Sequence, residues 1–154
     1  MRIGLLVQDG CFTSAVTSVI DIIRTGELVR PEIDPALPAL DLVLAGPRRL
    51  IVTGSGMTIT TQRTLRELDD LDVVVVPALG TMTGPDTETA IAGPDGRAVV
   101  RALRTVDPDR ARMAAACTGV FPLAETGLLD GRRVTTTWFL TTTFRARYPA
   151  TFFV

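Results

Sequence analysis

The chain of 154 residues contains no histidine, so it lacks both the imidazole base and the commonest metal ligand of proteins. A Ser-His-Asp or Cys-His catalytic arrangement is therefore excluded. Cys11 and Cys117 are the only cysteines, too few for a structural zinc site, and we expect no disulfide between them in a reducing compartment. These absences argue against a bound metal, and we expect no cofactor.

Long apolar runs and an excess of charge of one sign are also missing. The opening segment from Met1 to Val7 is too short for a signal sequence or a membrane span, so we expect a cytoplasmic protein with no membrane partner. A formal net charge of −1 and a pI near 5.4 give no basic surface for nucleic acid. With 46% hydrophobic residues, the composition instead predicts one soluble domain with a substantial core.

Short apolar runs alternate with segments of helical periodicity along the chain. The predicted strands are Arg2–Gln8, Leu42–Ala45, Val73–Val76, Met113–Ala116, Arg132–Thr137 and Thr151–Val154, with a hairpin over Leu50–Thr61. The predicted helices are Thr13–Val29, Thr87–Ala92, Asp95–Thr105, Thr118–Thr126 and Trp138–Arg147, and the proline-containing segment 30–40 is predicted to be a loop. This alternation predicts an α/β fold, a three-layer αβα flavodoxin-like sandwich with a mainly parallel central sheet. Its ligand site should lie where the strands end, near Asp9, Gly80 and Cys117.

The segment from Arg112 to Gly131 resembles a strand, a sharp turn and a helix in direct succession. Cys117 follows the apolar run Met113–Ala116 and precedes a Thr-Gly step. In such an elbow, the side chain in the turn projects from the end of a central strand toward the backbone amides of the next turn. Cys117 would then be a thiol at the mouth of a pocket. The local pattern fits equally well with a buried apolar cysteine.

The residues around Cys117 resemble the ThiJ/PfpI, or class I glutamine amidotransferase-like, superfamily. The resemblance is carried by Ala116–Phe121, by Leu123–Thr136 and by Phe144–Pro149, and it extends more weakly over nearly the whole chain. Within the superfamily, the sequence is most similar to the amino-terminal domain of AraC-type transcription regulators, and isonitrile hydratases share much of the pattern.

This resemblance implies a set of ligand-binding positions. The family's nucleophilic cysteine corresponds to Cys117, followed by the amide of Thr118, and the second amide of an oxyanion hole would come from the Leu79–Gly80 turn. The family's acidic residue corresponds to Ala15 and its histidine to Thr137, which is followed by Trp138. The base and the acid that would activate the cysteine are thus both replaced, and no other residue is an obvious source of general-base catalysis.

Relatives of this type continue beyond the Tyr-Pro step with a strand, a turn and a closing helix, and regulators then add helix-turn-helix units. The resemblance therefore implies that residues 1–154 form one ThiJ/PfpI-like domain that lacks these later segments. We expect a non-catalytic domain that senses an unidentified small-molecule effector, forms a homodimer and reaches DNA only through a missing carboxyl-terminal domain.

Two other functions remain open at this point, and so does a scaffold whose pocket has been lost. Cys117 would be the nucleophile of a ThiJ/PfpI-type enzyme, either isonitrile hydratase-like or glyoxalase-like, if its reactivity were retained. Alternatively, Cys117 would be oxidised to a sulfenic acid or captured by Cys11 in a redox sensor.

Overall fold

The computed structural model describes residues 1–154 and contains a five-stranded parallel sheet at its centre. The strands are β1 Arg2–Leu6, β2 Asp41–Gly46, β3 Leu50–Val52, β4 Thr58–Thr60, β5 Arg63–Thr64, β6 Val73–Val76, β7 Arg112–Ala115, β8 Arg133–Val134 and β9 Phe152–Phe153. The central sheet has the order β5-β2-β1-β6-β7, with β7 at one edge. The pairs β3–β4 and β8–β9 form two small separate sheets.

Five α-helices surround the central sheet. They are α1 Thr13–Ile33, α2 Gly84–Ala92, α3 Pro94–Thr105, α4 Val120–Ala124 and α5 Thr141–Arg147. Val16 on α1 packs with Leu5 of β1 on one face of the sheet. Val99 of α3 packs with Val74 and Val76 on the other face. The predicted α/β architecture, with a parallel sheet between helical layers, is confirmed.

Short apolar strands occupy the middle of the sheet because both of their faces are covered. In β6, Val74 and Val76 are 0% and 2% exposed and contact α3, while Val75 lies on the face toward α1. Parallel strands buried on both faces have nearly continuous apolar sequences, as these four valines do. The position of β6 next to β7 sets the carboxyl ends of the two strands side by side.

An aromatic cluster fixes the carboxyl-terminal helix against the helix after Cys117. Phe121 of α4 and Phe144 of α5 are both fully buried, with ring centroids 5.0 Å apart at right angles. Tyr148 donates its hydroxyl to a carboxylate oxygen of Glu125 at 2.7 Å. Burial, followed by the neighbouring Glu125 carboxylate, raises the pKa of Tyr148 well above its usual range.

Several predicted boundaries were wrong. Helix α1 continues through Pro31 to Ile33, because a proline in the last turn removes few helical hydrogen bonds. The Arg30 side chain also stabilises this end of the helix, since it donates hydrogen bonds to the Glu27 carboxylate and to the Leu37 carbonyl oxygen. The predicted strand 132–137 shortens to β8, since only Arg133 and Val134 find a partner strand, in β9.

Both predicted helices after the elbow begin as tighter turns. The first starts with a 3₁₀ turn, Cys117–Gly119, and the second with another, Trp138–Leu140. Sequence periodicity does not separate such short turns from the first turn of an α-helix.

Candidate functional site

Cys117 lies in a sharp left-handed turn directly after β7. Its φ angle is +54°, and it is the only residue other than glycine with a positive φ. This conformation crowds the Cβ atom of an ordinary residue and costs about 1 to 2 kcal/mol. The strained backbone directs the cysteine into solvent, so the predicted elbow is present and the alternative of a buried Cys117 is wrong.

The turn is this tight because the next residues lie directly against β6. A Cβ atom at Gly119 would lie 2.6 Å from the Pro77 carbonyl oxygen and closer still to that of Val76. Thr118 is fully buried and donates its hydroxyl to the Leu79 carbonyl oxygen at 2.9 Å. These two contacts bring the turn after β7 and the turn after β6 together, as the resemblance implied.

The Leu79–Gly80 turn is also tied to the segment after β1. The Gly80 N–H donates to the Gly10 carbonyl at 2.8 Å, and the Phe12 N–H donates to the Ala78 carbonyl at 2.9 Å. The Gly80 amide is therefore already occupied within the protein. The Leu79 N–H donates to no acceptor, and the amides of Cys117 and Thr118 start a helical turn, where no intrahelical acceptor exists.

The segment that contains Thr137 and Trp138 is hydrogen-bonded to Cys117 through Thr136, the residue that precedes them. Thr136 donates its hydroxyl to the Cys117 carbonyl at 3.2 Å. Trp138 is 86% exposed, and its ring contacts only Phe139, edge to face, among the aromatic residues. Thr137 precedes the 3₁₀ turn that begins at Trp138, and its side chain ends in a hydroxyl group.

Ala15 lies in the first turn of α1 and is partly buried. The helix follows the segment that bonds the Leu79–Gly80 turn, so Ala15 belongs to the same edge of the sheet. Its methyl group supplies neither charge nor a hydrogen bond to this edge.

An ionic network at this edge had no signal in the sequence. Arg48 forms ion pairs with Asp9 and with Asp95, the latter at 2.7 Å, and Asp9 also accepts the Val52 N–H at 2.8 Å. Arg48 is more than 35 positions from both Asp9 and Asp95 in the sequence, so no local motif marks these ion pairs. The network holds the turn after β1, on which Gly80 depends, against the β3–β4 hairpin.

Cys117 is exposed and lies outside the principal cavities of the chain. The five principal cavities of the chain have volumes between about 160 and 830 Å³, and none of them is lined by Cys117, Gly80, Thr137 or Trp138. No group of three or more cysteine and acidic side chains is assembled in a way that could hold a metal ion. The site therefore presents an exposed thiol beside free amides, outside these five cavities.

The DJ-1/PfpI family profile matches residues 1–150. The chain belongs to this family. The resemblance that the residues around Cys117 indicate is thereby confirmed, and the elbow at Cys117 lies inside the matched region.

Known proteins similar to this chain differ in the function that their names state. The "Uncharacterized protein in cpoL 5'region" of Streptomyces lividans is 30% identical over 103 residues, which are 67% of this chain and 73% of that protein. A crystal structure of an AraC family transcriptional regulator from Pseudomonas putida matches with a TM-score of 0.75 and 16% identity, covering 99% of this chain and 75% of that one. A putative protease I from Bacteroides thetaiotaomicron matches with a TM-score of 0.73 and 13% identity, covering 99% and 81%.

At these identities, the two structural likenesses concern the fold alone. They place regulators and a putative enzyme on the same scaffold, so the choice between the two functions depends on the residues at the site. None of the helices combines the length and apolarity that a membrane span requires.

Proposed function

We propose that this chain is a non-catalytic domain that senses a small ligand and forms a dimer in a transcription regulator. The observation that carries the proposal is the elbow itself. Cys117 is exposed with φ at +54°, while Ala15 and Thr137 stand where the family's acid and base would be. The backbone of a nucleophile site is retained without the side chains that would activate the thiol.

Small-ligand binding at this site would use backbone groups. The unbonded Leu79 amide and the first amides of the turn at Cys117 are donors for a carbonyl or carboxylate group of an effector. Trp138 and the Cys117 thiol would supply apolar contacts, and the Thr137 side chain would border the ligand. Thr118, whose side chain is fully buried, would contribute only its backbone amide. The site is open, so effector binding would need a further wall from a partner or from a movement of the Trp138 turn.

Dimerisation is supported by an exposed apolar surface on α1. Ile22, Leu28 and Ile33 are 69%, 77% and 73% exposed, and Val29 also lies at the surface. Ile22, Val29 and Ile33 follow one another at intervals of seven and four residues, so they share one face of the helix. Exposed apolar patches of this kind commonly mark protein interfaces, and a second copy of the chain would cover this one.

The edge strand β7 supports the expectation of further segments. One side of β7 pairs with β6, and its other side has no partner strand. Ala114, which pairs with Val75, and Ala116 are both exposed. In this proposal, a closing strand and helix cover this edge, and DNA is contacted by a separate domain.

Ligand protection of Cys117 tests the sensing role. A panel of small carbonyl and carboxylate compounds is added to the full chain, and alkylation of each cysteine by iodoacetamide is followed by mass spectrometry. A sensor ligand slows alkylation of Cys117 severalfold, and the same ligand changes the dimer fraction in sedimentation. The Trp138→Ala variant should lose the protection, and Phe152→Ala, another exposed aromatic residue, serves as its control.

The sensing proposal fails if the full chain consumes a substrate. Isonitriles and methylglyoxal are incubated with the wild type and with Cys117→Ala. We expect no turnover in either protein. Turnover that disappears in Cys117→Ala would show that the site is catalytic.

One observation favours a cysteine-dependent enzyme as the second candidate. The φ angle of Cys117 stores strain that a purely structural turn could avoid with glycine, and such strain is typical of active sites. An isonitrile hydratase-like or glyoxalase-like activity would need a base that comes from the substrate or from a partner.

A further inference from the structure

Two arginines from separate segments line the largest of the five principal cavities, and neither forms an ion pair. The cavity has a volume of about 830 Å³ and lies between α3 and the segment after β5. Arg66 comes from that segment and Arg101 from α3, and both are exposed. No ion pair or hydrogen bond holds either guanidinium group. The nearby Arg63, in contrast, is paired with Asp70.

Helix α3 carries a row of arginines that raises the positive potential around Arg101. Arg97 and Arg104 precede and follow Arg101 by four and three residues, so the three share one face of the helix. The side chains of Arg97 and Arg104 donate to backbone carbonyl oxygens and form no ion pair, although the charge of Arg104 also acts on the nearby Glu125 carboxylate. Like charges at this spacing destabilise a helix, and an anion bound beside Arg101 would offset that repulsion.

The cavity has the volume of a small-molecule site. Its volume falls within the range of about 300 to 1,000 Å³ that is usual for ligand pockets. Leu65, Ala98 and Ala102 form an apolar part of its lining, and Asp69 contributes the one carboxylate. Every cationic side chain in this sequence is arginine, whose planar fork matches the two oxygens of a carboxylate or phosphate group.

We propose that this cavity binds a small organic molecule through a phosphate or carboxylate group. Arg66 and Arg101 hold the oxyanion from two sides, and the apolar lining receives the body of the ligand. The cavity shares no residue with the site at Cys117, so this binding is independent of the proposed sensing function. The negative charge of Asp69 repels the bound oxyanion and weakens its binding. If Asp69 were instead the ion-pair partner of one of the arginines, it would compete with the ligand for that arginine.

The test is calorimetric titration of the full chain with phenyl phosphate and with benzoate at low salt, and with inorganic phosphate to probe the headgroup alone. We expect one of the two aromatic anions to bind, and the stronger one identifies the headgroup. Arg66→Gln and Arg101→Gln should each weaken binding about tenfold, as expected for a lost charge-assisted hydrogen bond. Arg24→Gln, an exposed arginine on α1 without an ion pair, is the matched control and should bind as the wild type does.

The Asp69→Asn variant should change the affinity in the opposite direction to the arginine variants. Removing its negative charge should tighten binding severalfold, and thermal melting of each variant confirms that it is folded. The proposal is overturned if neither aromatic anion binds below about 10 mM. It is also overturned if Arg24→Gln weakens binding as much as Arg101→Gln, because the attraction would then come from overall charge.

Discussion

Cys11 and Cys117 each follow a strand of the same sheet, yet the fold treats their thiols in opposite ways. Cys11 is fully buried, its N–H donates to the Gln8 carbonyl, and its carbonyl accepts the Gly54 N–H. Burial raises the pKa of the Cys11 thiol. Cys117 is exposed in a left-handed turn. The local backbone conformation thus decides which cysteine packs in the core and which is offered to solvent.

The comparison also shows what the elbow lacks. The turn after β1 is held by an ionic network through Asp9 and Arg48, whereas no charged side chain forms a hydrogen bond with Cys117. Exposing a thiol requires only backbone geometry, but activating it requires a base or a positive charge. The elbow of this protein has the backbone geometry that exposes the thiol, but no base or positively charged side chain is hydrogen-bonded to it.

Gly119→Ala should break the elbow and produce the largest loss of stability. The new Cβ atom would lie too close to the Val76 and Pro77 carbonyl oxygens, and backbone atoms cannot move aside as a flexible side chain does. We expect the free energy of unfolding to fall by about 3 kcal/mol, the upper part of the range for overpacking. Urea denaturation measures this loss.

The control for Gly119→Ala is Gly56→Ala, in the turn of the β3–β4 hairpin. Gly56 has a φ of +83° and nothing within 4 Å of an added Cβ atom, so only backbone strain opposes that change. An equal loss of stability in the two variants would contradict the close approach of the elbow to β6.

Glycine substitution should have opposite effects at the two cysteines. Cys117→Gly relieves the strain of a positive φ, and we expect it to stabilise the protein by about 0.5 to 1 kcal/mol. Cys11→Gly removes a buried side chain and adds backbone freedom to the unfolded chain, so we expect it to destabilise by about 2 kcal/mol. Chemical denaturation of the two variants shows whether the free energy of unfolding rises or falls. Cys117→Ala is the control, because it removes the thiol but keeps a Cβ atom at the positive φ.

Alkaline pH should reveal the burial of the Cys11 thiol through a smaller change in stability. The folded state holds the pKa of Cys11 above its unfolded value, so the stability due to its neutral form is complete below about pH 8.5 and is lost as the pH rises through the folded value. Between pH 7 and pH 9, the wild type should lose more stability than Cys11→Ala, by less than about 1 kcal/mol. Equal losses would mean that the Cys11 thiol is not buried in solution.

The sequence predicted those parts of the fold that are determined by residues adjacent in the chain. The four valines of β6, the hairpin over Leu50–Thr61 and the elbow at Cys117 were all found, because each is set by short-range periodicity or by a turn. The two-residue strand β5 was missed, since only its pairing with β2 defines it.

The site could be predicted only where its backbone determined it. The positions of Cys117 and Thr118 followed from the elbow pattern, and the Leu79–Gly80 turn followed from the end of β6. Three features depend on distant residues and left no local signal. They are the occupied Gly80 amide, the network through Arg48 and the exposure of Trp138.

The reactivity of Cys117 at neutral pH tests the central claim most directly, because an exposed thiol without a base should behave as an ordinary one. The rate of iodoacetamide alkylation at Cys117 is measured at pH 7 in the folded Cys11→Ala variant and compared with the rate for an unstructured peptide that contains one cysteine. The account predicts rates that agree within about threefold. Alkylation of Cys117 that is ten times faster or more would contradict it and would favour an enzyme.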